Sequence, residues 1–155
     1  MLNFLSIIHQ KSNEHYNLAC ILTLPPHQRK GYGRFIISLS YEISKREGKT
    51  GSPEKPLSDL GKLSYRAFWS CKLLSMLLDA CQTGKRPGIA ELSKESGIQI
   101  EDIISTLQHL GLIKSFHKQY VLAVTQEKVE NLLQPYINKN FSKAFCKPEC
   151  LLEFD

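Results

Sequence analysis

The order of apolar and polar positions in the first third of the chain predicts a strand, a turn and a helix. Residues 18–24 form an apolar run rich in residues that favour a buried strand, and the two prolines that follow cannot donate the hydrogen bonds that would continue it. Beyond a polar turn, Phe35, Leu39 and Ile43 recur at every fourth position between residues 34 and 47, with Ile36 beside them. This spacing predicts a helix with one buried face.

The patterns on either side of this unit predict a hairpin and a long helix. Residues 2–9 and 16–24 are predicted to pair as two strands joined through a turn at Asn13. A helix is predicted to begin at Ser58 or Asp59, because either side chain can cap it. Its predicted buried face consists of positions three and four residues apart, namely Leu60, Leu63, Ala67, Cys71, Leu74 and Leu78.

A stretch rich in glycine and proline at residues 84–88 ends that helix and marks the best internal boundary. Beyond it the pattern predicts two short helices joined through Gly97, a two-stranded hairpin and a helix at residues 125–133. Helix, turn, helix and hairpin in this order predict a winged-helix-like lobe at residues 84–155, following a core at residues 1–83.

Charge argues against DNA binding by this predicted lobe. Its second helix begins Glu101-Asp102 and contains no Lys or Arg through Leu110. Carboxylates facing DNA would meet phosphates and groove acceptors of the wrong sign. We therefore predict no sequence-specific DNA binding.

The turn between the first strand and its helix is basic and contains two glycines. Its sequence is Gln28-Arg29-Lys30-Gly31-Tyr32-Gly33, followed by Arg34. The first amides of a helix have no internal partners and bind phosphate oxygens, and glycine lets a ligand approach the backbone. The pattern predicts a phosphate-binding turn. A basic surface turn is the alternative, because neither the P-loop spacing nor a complete GxGxxG is present.

Composition and charge narrow the class of protein. The chain's 155 residues are enough for one ordinary domain, with or without a small companion, and residues 1–56 carry eight basic and four acidic residues, or +4 of the net +5. This excess around the turn suits an anionic cofactor better than a nucleic-acid surface. Five scattered cysteines without a CxxC pair predict reduced thiols in a cytosolic or nuclear protein, and no metal site. No apolar run approaches transmembrane length, so we predict no membrane association.

A resemblance to a known family follows from these residues. Residues 28–33 resemble the acetyl-CoA loop of the acetyltransferase superfamily, Arg/Gln-x-x-Gly-x-Gly/Ala, and residues 19–69 are similar to the central block of the MYST family of histone acetyltransferases. The resemblance implies a mixed α/β (α+β) fold with a GNAT-like core and acetyl-CoA as the cofactor. It also implies a histone-tail lysine as acceptor, chromatin-modifying complexes as partners and a nuclear location. The family's N-terminal strands and zinc finger are expected to be absent, because the chain begins after them.

The resemblance makes Glu54 the general base. Removing a proton from a lysine ammonium of pKa ~10.4 at pH 7 costs about 4–5 kcal/mol, and a carboxylate whose affinity for protons is raised by burial can accept it. Pro53 and Pro56 restrict the backbone around Glu54. An exposed loop glutamate without a function is the alternative from the sequence alone.

The same resemblance implies roles for other residues. Cys20 matches the family's active-site cysteine, which some schemes acetylate first, and strand alternation predicts that it shares a face with Leu18 and Leu22. Its alternative role is a small buried hydrophobe, and we rank Glu54 above it. Ser58 matches a serine that contacts the cofactor and is also the helix-cap candidate. The strand segment along the pantetheine arm is matched by Ile21, Leu22 and Thr23.

These observations predict a histone (lysine) acetyltransferase with Glu54 as the base. The alternative is a truncated, non-catalytic relative that acts as a CoA-binding or protein-interaction module. The missing N-terminal strands are the feature that favours this alternative.

Overall fold

The first strands confirm the predicted pairing of the two apolar runs. The computed structural model describes residues 4–7, 16–116 and 119–151. It begins with β1 (Phe4–Ile7), β2 (Tyr16–Leu18) and β3 (Cys20–Thr23). β1 and β3 pair antiparallel, with their ends in register. The predicted turn at Asn13 lies outside the described residues.

The predicted continuous strand at residues 18–24 is wrong, because a bend at Ala19 divides it. β2 pairs parallel with the short strand β4 (Ser52–Pro53), whereas β3 pairs with β1. Leu18 is 2% exposed and Leu22 is 51% exposed. The predicted shared face of these two residues is therefore also wrong, since the bend interrupts the strand alternation.

Helix α1 (Tyr32–Arg46) follows a short 3₁₀ turn, and its buried face differs from the predicted one. Ile36, Ile37 and Tyr41 are each 1% exposed, whereas Phe35 is 39% exposed. The prediction is thus right for Ile36. Phe35 is exposed and Leu39 and Ile43 are half-buried, so the stripe through these three lies to one side of the true buried face.

Serines explain the difference in α1. The Ser40 hydroxyl donates to the Ile37 carbonyl at 2.8 Å, and the Ser44 hydroxyl donates to the Ser40 carbonyl at 3.0 Å. Both serines are buried, because the helix's own carbonyls satisfy their hydroxyls. A pattern of apolar residues alone could not reveal a buried face that contains hydroxyls.

Helix α2 (Asp59–Gln82) is the longest element and begins where the sequence predicts. The Ser58 hydroxyl caps it by accepting a hydrogen bond from the Gly61 amide at 3.1 Å. Leu60 and Leu63 are 73% and 66% exposed, so the first two positions of the predicted buried face are wrong. The helix becomes buried only from Tyr65 onward.

The remaining elements follow in the predicted order. They are α3 (Ile89–Ser96), α4 (Ile100–His109), the antiparallel strands β5 (Ile113–Phe116) and β6 (Gln119–Leu122), and α5 (Gln126–Asn138). α5 continues through Pro135 beyond its predicted end at residue 133. Beyond that proline, the Tyr136 ring packs edge-on against the Phe141 ring, with ring centres 5.4 Å apart.

One hydrophobic core joins the two parts of the chain. α2 packs against α1, α3, α4 and α5. The Trp69 indole nitrogen donates to the Tyr41 hydroxyl at 2.8 Å, and Tyr41 stacks on Phe68 with ring centres 5.2 Å apart. The Phe68 ring in turn packs against the Phe145 ring, with ring centres 5.0 Å apart. The C-terminal segment thereby packs against α2, which in turn packs against α1, the helix that follows the predicted turn.

Candidate active site

The turn between β3 and α1 contains two left-handed residues. Arg29 has φ 61° and Gly31 has φ 91°. A non-glycine residue in this conformation costs roughly 1–2 kcal/mol, so its surroundings must hold it there. Turns of this kind form concave sites in which backbone N–H groups point at an anion. The predicted basic turn between a strand and a helix is confirmed in its geometry.

The two turn glycines meet different requirements. A Cβ on Gly31 would lie 3.0 Å from the Ala144 Cβ, in addition to the strain of a positive φ. A Cβ on Gly33 would meet no atom within 4 Å. Gly31 is therefore required by the fold, whereas Gly33 keeps space open at the start of α1. The first-turn amides of α1, including those of Gly33 and Arg34, carry partial positive charge beside this space.

An open groove of about 500 Å³ lies between β3, the turn, and the starts of α1 and α2. Lys30 is exposed and does not line it. The other ten residues predicted to bind a cofactor do line it, namely Ile21, Leu22, Thr23, Gln28, Arg29, Gly31, Tyr32, Gly33, Arg34 and Ser58. Segments that are separate in the sequence therefore converge on one cavity.

Five residues that were not predicted as site residues also line the groove, namely Ile37, Leu60, Gly61, Ser64 and Tyr65. Leu60 was predicted in the core but lies at the groove's edge. Gly61, Ser64 and Tyr65 are three and four residues apart on α2, which is the one signal that could have found them. Burial, and then the nearby Asp102 carboxylate, raise the pKa of Tyr65 well above its usual value. A phenol is protonated at neutral pH at its ordinary pKa as well, so the shift does not change the charge of Tyr65 there.

Two polar side chains at the turn also form hydrogen bonds with backbone carbonyls of the protein. The Gln28 side-chain amide donates to the Thr23 carbonyl at 3.0 Å, which closes the turn over the 3₁₀ segment. The Arg34 guanidinium lies 4.5 Å from the centre of the Phe141 ring and donates to the Phe141 carbonyl at 3.3 Å. The C-terminal segment thus fixes a cation at the wall of the groove.

The loop that carries Glu54 runs beside β2, the strand that precedes Cys20 in the sequence. The Glu54 amide donates to the Leu18 carbonyl at 3.1 Å, directly after β4 pairs with β2, and Cys20 comes two residues beyond Leu18. The Glu54 loop therefore bonds to the end of β2, two residues before Cys20 in the sequence. The Glu54 side chain is exposed, so this part of the chain does not provide the burial predicted for a general base. The side chain of Cys20 lies outside the description.

Two kinds of feature are absent from residues 4–7, 16–116 and 119–151. In these ranges no three His, Cys, Asp or Glu side chains form a group that could hold a metal ion. No helix in the same ranges is long and apolar enough to cross a membrane. Burial raises the pKa of the Cys71 thiol to about 11, which keeps it protonated and unreactive at neutral pH.

Comparison with known proteins shows that the chain is similar to parts of several histone acetyltransferases. The chain is 52% identical over 125 residues to the histone acetyltransferase MOF of Drosophila melanogaster. The aligned segment covers 81% of this chain and 15% of that protein. It is 52% identical over 124 residues to the histone acetyltransferase of the MYST family 1 of Arabidopsis thaliana, covering 79% and 27%. It is 48% identical over 123 residues to the histone acetyltransferase Tip60 homolog of Caenorhabditis elegans, covering 77% and 26%.

The chain belongs to the MOZ/SAS family, which it matches over residues 2–151. The predicted resemblance to the MYST histone acetyltransferases is thereby confirmed. The chain spans between 15% and 27% of the length of the three relatives.

Proposed function

We propose that this chain is the acetyl-CoA-binding and C-terminal part of a lysine acetyltransferase. Residues 1–83 would form a partial GNAT-like core, and residues 84–155 a winged-helix-like lobe beside it. The order of α3, α4, the β5–β6 hairpin and α5 supports the lobe. The single observation that carries the proposal is the basic groove at the start of α1, which Gly33 leaves open.

The residues present fit the pyrophosphate and pantetheine of acetyl-CoA. The positive helix start, the left-handed turn and the charges of Arg29 and Arg34 would hold the pyrophosphate, with Lys30 adding charge from outside the groove. The backbone of β3 at Ile21, Leu22 and Thr23 would lie along the pantetheine. Ser58 would contact the cofactor from the start of α2, where it already serves as the cap.

Acetyl-CoA, when bound, supplies an acetyl group as a thioester that a free amine can attack. The chain's task is then to produce that amine. Glu54 would accept the proton from the substrate ammonium, directly or through water. Because Glu54 is exposed here, the bound substrate or the rest of a longer protein would have to exclude water from it. Cys20, at the start of β3, would be packing or an acyl carrier.

The substrate and partners follow from the relatives. Three of them are named histone acetyltransferases, which supports a histone-tail lysine as the acceptor, chromatin-modifying complexes as partners and a nuclear location. Sequence-specific DNA binding is not proposed. The exposed positions of α4 are Ile100, Glu101, Ser105, Gln108 and His109, which include no Lys or Arg to neutralise phosphates. Asp102 is buried, so the acidic charge of this surface comes from Glu101.

A non-catalytic CoA-binding or interaction module remains the second candidate. The observation that favours it is the exposure of Glu54 in a chain that spans a small part of its relatives.

Mass spectrometry of a histone peptide incubated with acetyl-CoA and the full chain decides between the two functions. The proposal expects acetyl-lysine with the unmodified chain and little with Glu54→Gln. Binding of acetyl-CoA with no acetyl-lysine from this chain, at any pH, would establish the module.

A further inference from the structure

Asp102 is a buried acid in the first turn of α4, next to the exposed acid Glu101. Asp102 is 4% exposed. Burying a carboxylate is unfavourable unless its charge is paired and its oxygens accept hydrogen bonds. The partners of Asp102 therefore indicate what this residue does.

Both side-chain partners of Asp102 come from the loop that carries Glu54. The Ser52 hydroxyl donates to one carboxylate oxygen at 2.7 Å, and the Lys55 ammonium donates to the other at 3.1 Å. Ser52 is itself 1% exposed. One carboxylate thus holds the residues on both sides of Glu54.

Backbone hydrogen bonds anchor the same loop at further points. The Gly51 amide donates to the Gly97 carbonyl at 2.7 Å, and the Gly51 carbonyl accepts from the Gln99 amide at 3.2 Å. On the opposite side, the Glu54 amide donates to the Leu18 carbonyl at 3.1 Å. The loop is therefore held between β2 and the turn that precedes α4.

Asp102 also acts electrostatically on a residue of the groove wall. Its charge adds to burial in raising the pKa of Tyr65, a residue that lines the groove. Among the described residues, the carboxylate bonds to Ser52 and Lys55 and makes no hydrogen bond to Glu54 itself.

We propose that Asp102 is a positioning residue, whose carboxylate holds Ser52 and Lys55 so that Glu54 keeps one fixed place in the segment after β4. α4 then acts on acetyl transfer through the loop, and not through DNA. The catalytic part of this inference rests on the proposed function of Glu54. The anchoring of the loop does not.

Amide hydrogen exchange tests the anchoring without any need for activity. In Asp102→Asn and in Ser52→Ala, we expect the Glu54 amide to exchange at least about tenfold faster, because the loop opens locally more often. Glu101→Gln is the matched control, since it removes the same charge one residue away without contacting the loop. The Ala123 amide, which donates to the Leu112 carbonyl at 2.8 Å, reports stability elsewhere and should not change in any variant.

Two exchange results would overturn the anchoring. One is an unchanged Glu54 amide in both loop-contact variants. The other is equal acceleration at Glu54 and Ala123, which would mean that Asp102 stabilises the whole protein and does not act on the loop.

Kinetics test the positioning. If Glu54 is displaced by about 1 Å, the kcat of acetyl transfer in Asp102→Asn should fall roughly 10–100-fold, while the KM for acetyl-CoA and the rate of Glu101→Gln stay unchanged. An unchanged kcat in Asp102→Asn, or an equal loss in Glu101→Gln, contradicts the positioning role. Absence of transfer by the unmodified chain would refute the proposed function, and the exchange result would then decide the anchoring alone.

Discussion

Replacing Gly33 by valine separates the fold from the groove. Gly33 is the second residue of α1, it does not have a positive φ, and a Cβ there meets nothing within 4 Å. Valine is the better helix former by about 0.5 kcal/mol, so the free energy of unfolding should stay the same or rise slightly. The melting temperature of the Gly33→Val variant without ligand should therefore change by less than about 2 °C.

The effect on ligand binding should be large. At a free acetyl-CoA concentration of 100 times Kd, a ligand that binds only the folded state adds about 2.7 kcal/mol. With about 2–4 °C per kcal/mol for a chain of this size, the unmodified protein should melt roughly 5–11 °C higher. In Gly33→Val the side chain occupies the space through which the pyrophosphate would approach the helix start, so the shift should vanish.

The assay is thermal unfolding followed by circular dichroism, with and without acetyl-CoA, and with sulfate at equal ionic strength as the control. Gly31→Ala supplies the contrast. Its positive φ costs about 1–2 kcal/mol and should lower the melting temperature of the free protein by roughly 2–8 °C. A full ligand shift in Gly33→Val, or no shift in the unmodified chain, would refute the reasoning.

Three further predictions concern the core and the C-terminal part. Tyr41→Phe leaves the buried Trp69 N–H without its acceptor and should cost about 1–3 kcal/mol, so an unchanged melting temperature would count against this hydrogen bond. Cys71 should resist alkylation at pH 8 in the folded protein, and rapid labelling there would show that the thiol is accessible. Because its pKa is raised to about 11 in the folded protein, its contribution to the free energy of unfolding should be complete below pH 9 and should decline as the pH rises to about 11. Urea unfolding at each pH measures this decline. Duplex DNA should bind α4 only weakly and lose that binding steeply with salt in an anisotropy titration, and a sequence-selective complex at physiological salt would contradict this.

Local rules predicted much of the fold from particular residues. Ser58 was identifiable as a cap because its hydroxyl precedes an apolar helical pattern, and glycine and proline at residues 84–88 located the end of α2. The basic turn was identifiable because glycines, cations and a helix start occur together. Each of these signals lies within a few residues of the feature that it predicts.

Features that depend on distant contacts could not be predicted in the same way. The buried face of α1 includes Ser40 and Ser44, whose hydroxyls bond to the helix itself, so hydrophobicity did not reveal it. Leu60 is apolar yet borders a groove, a position that only the packing of β3 and α1 beside α2 determines. Asp102 resembles an ordinary acid of a first helical turn, and its partner Ser52 lies fifty residues earlier.

The rate of acetyl transfer to histones as a function of pH tests the central claim most directly. The comparison uses labelled acetyl-CoA with the unmodified chain, Glu54→Gln and Cys20→Ala. Loss of the general base should lower turnover about 10²–10⁴-fold at pH 7. Higher pH should partly restore it, because more of the substrate lysine, of pKa ~10.4, is then neutral. Cys20→Ala should retain measurable activity throughout. Full activity of Glu54→Gln at pH 7 together with an inactive Cys20→Ala would make the cysteine the acyl carrier and contradict the account.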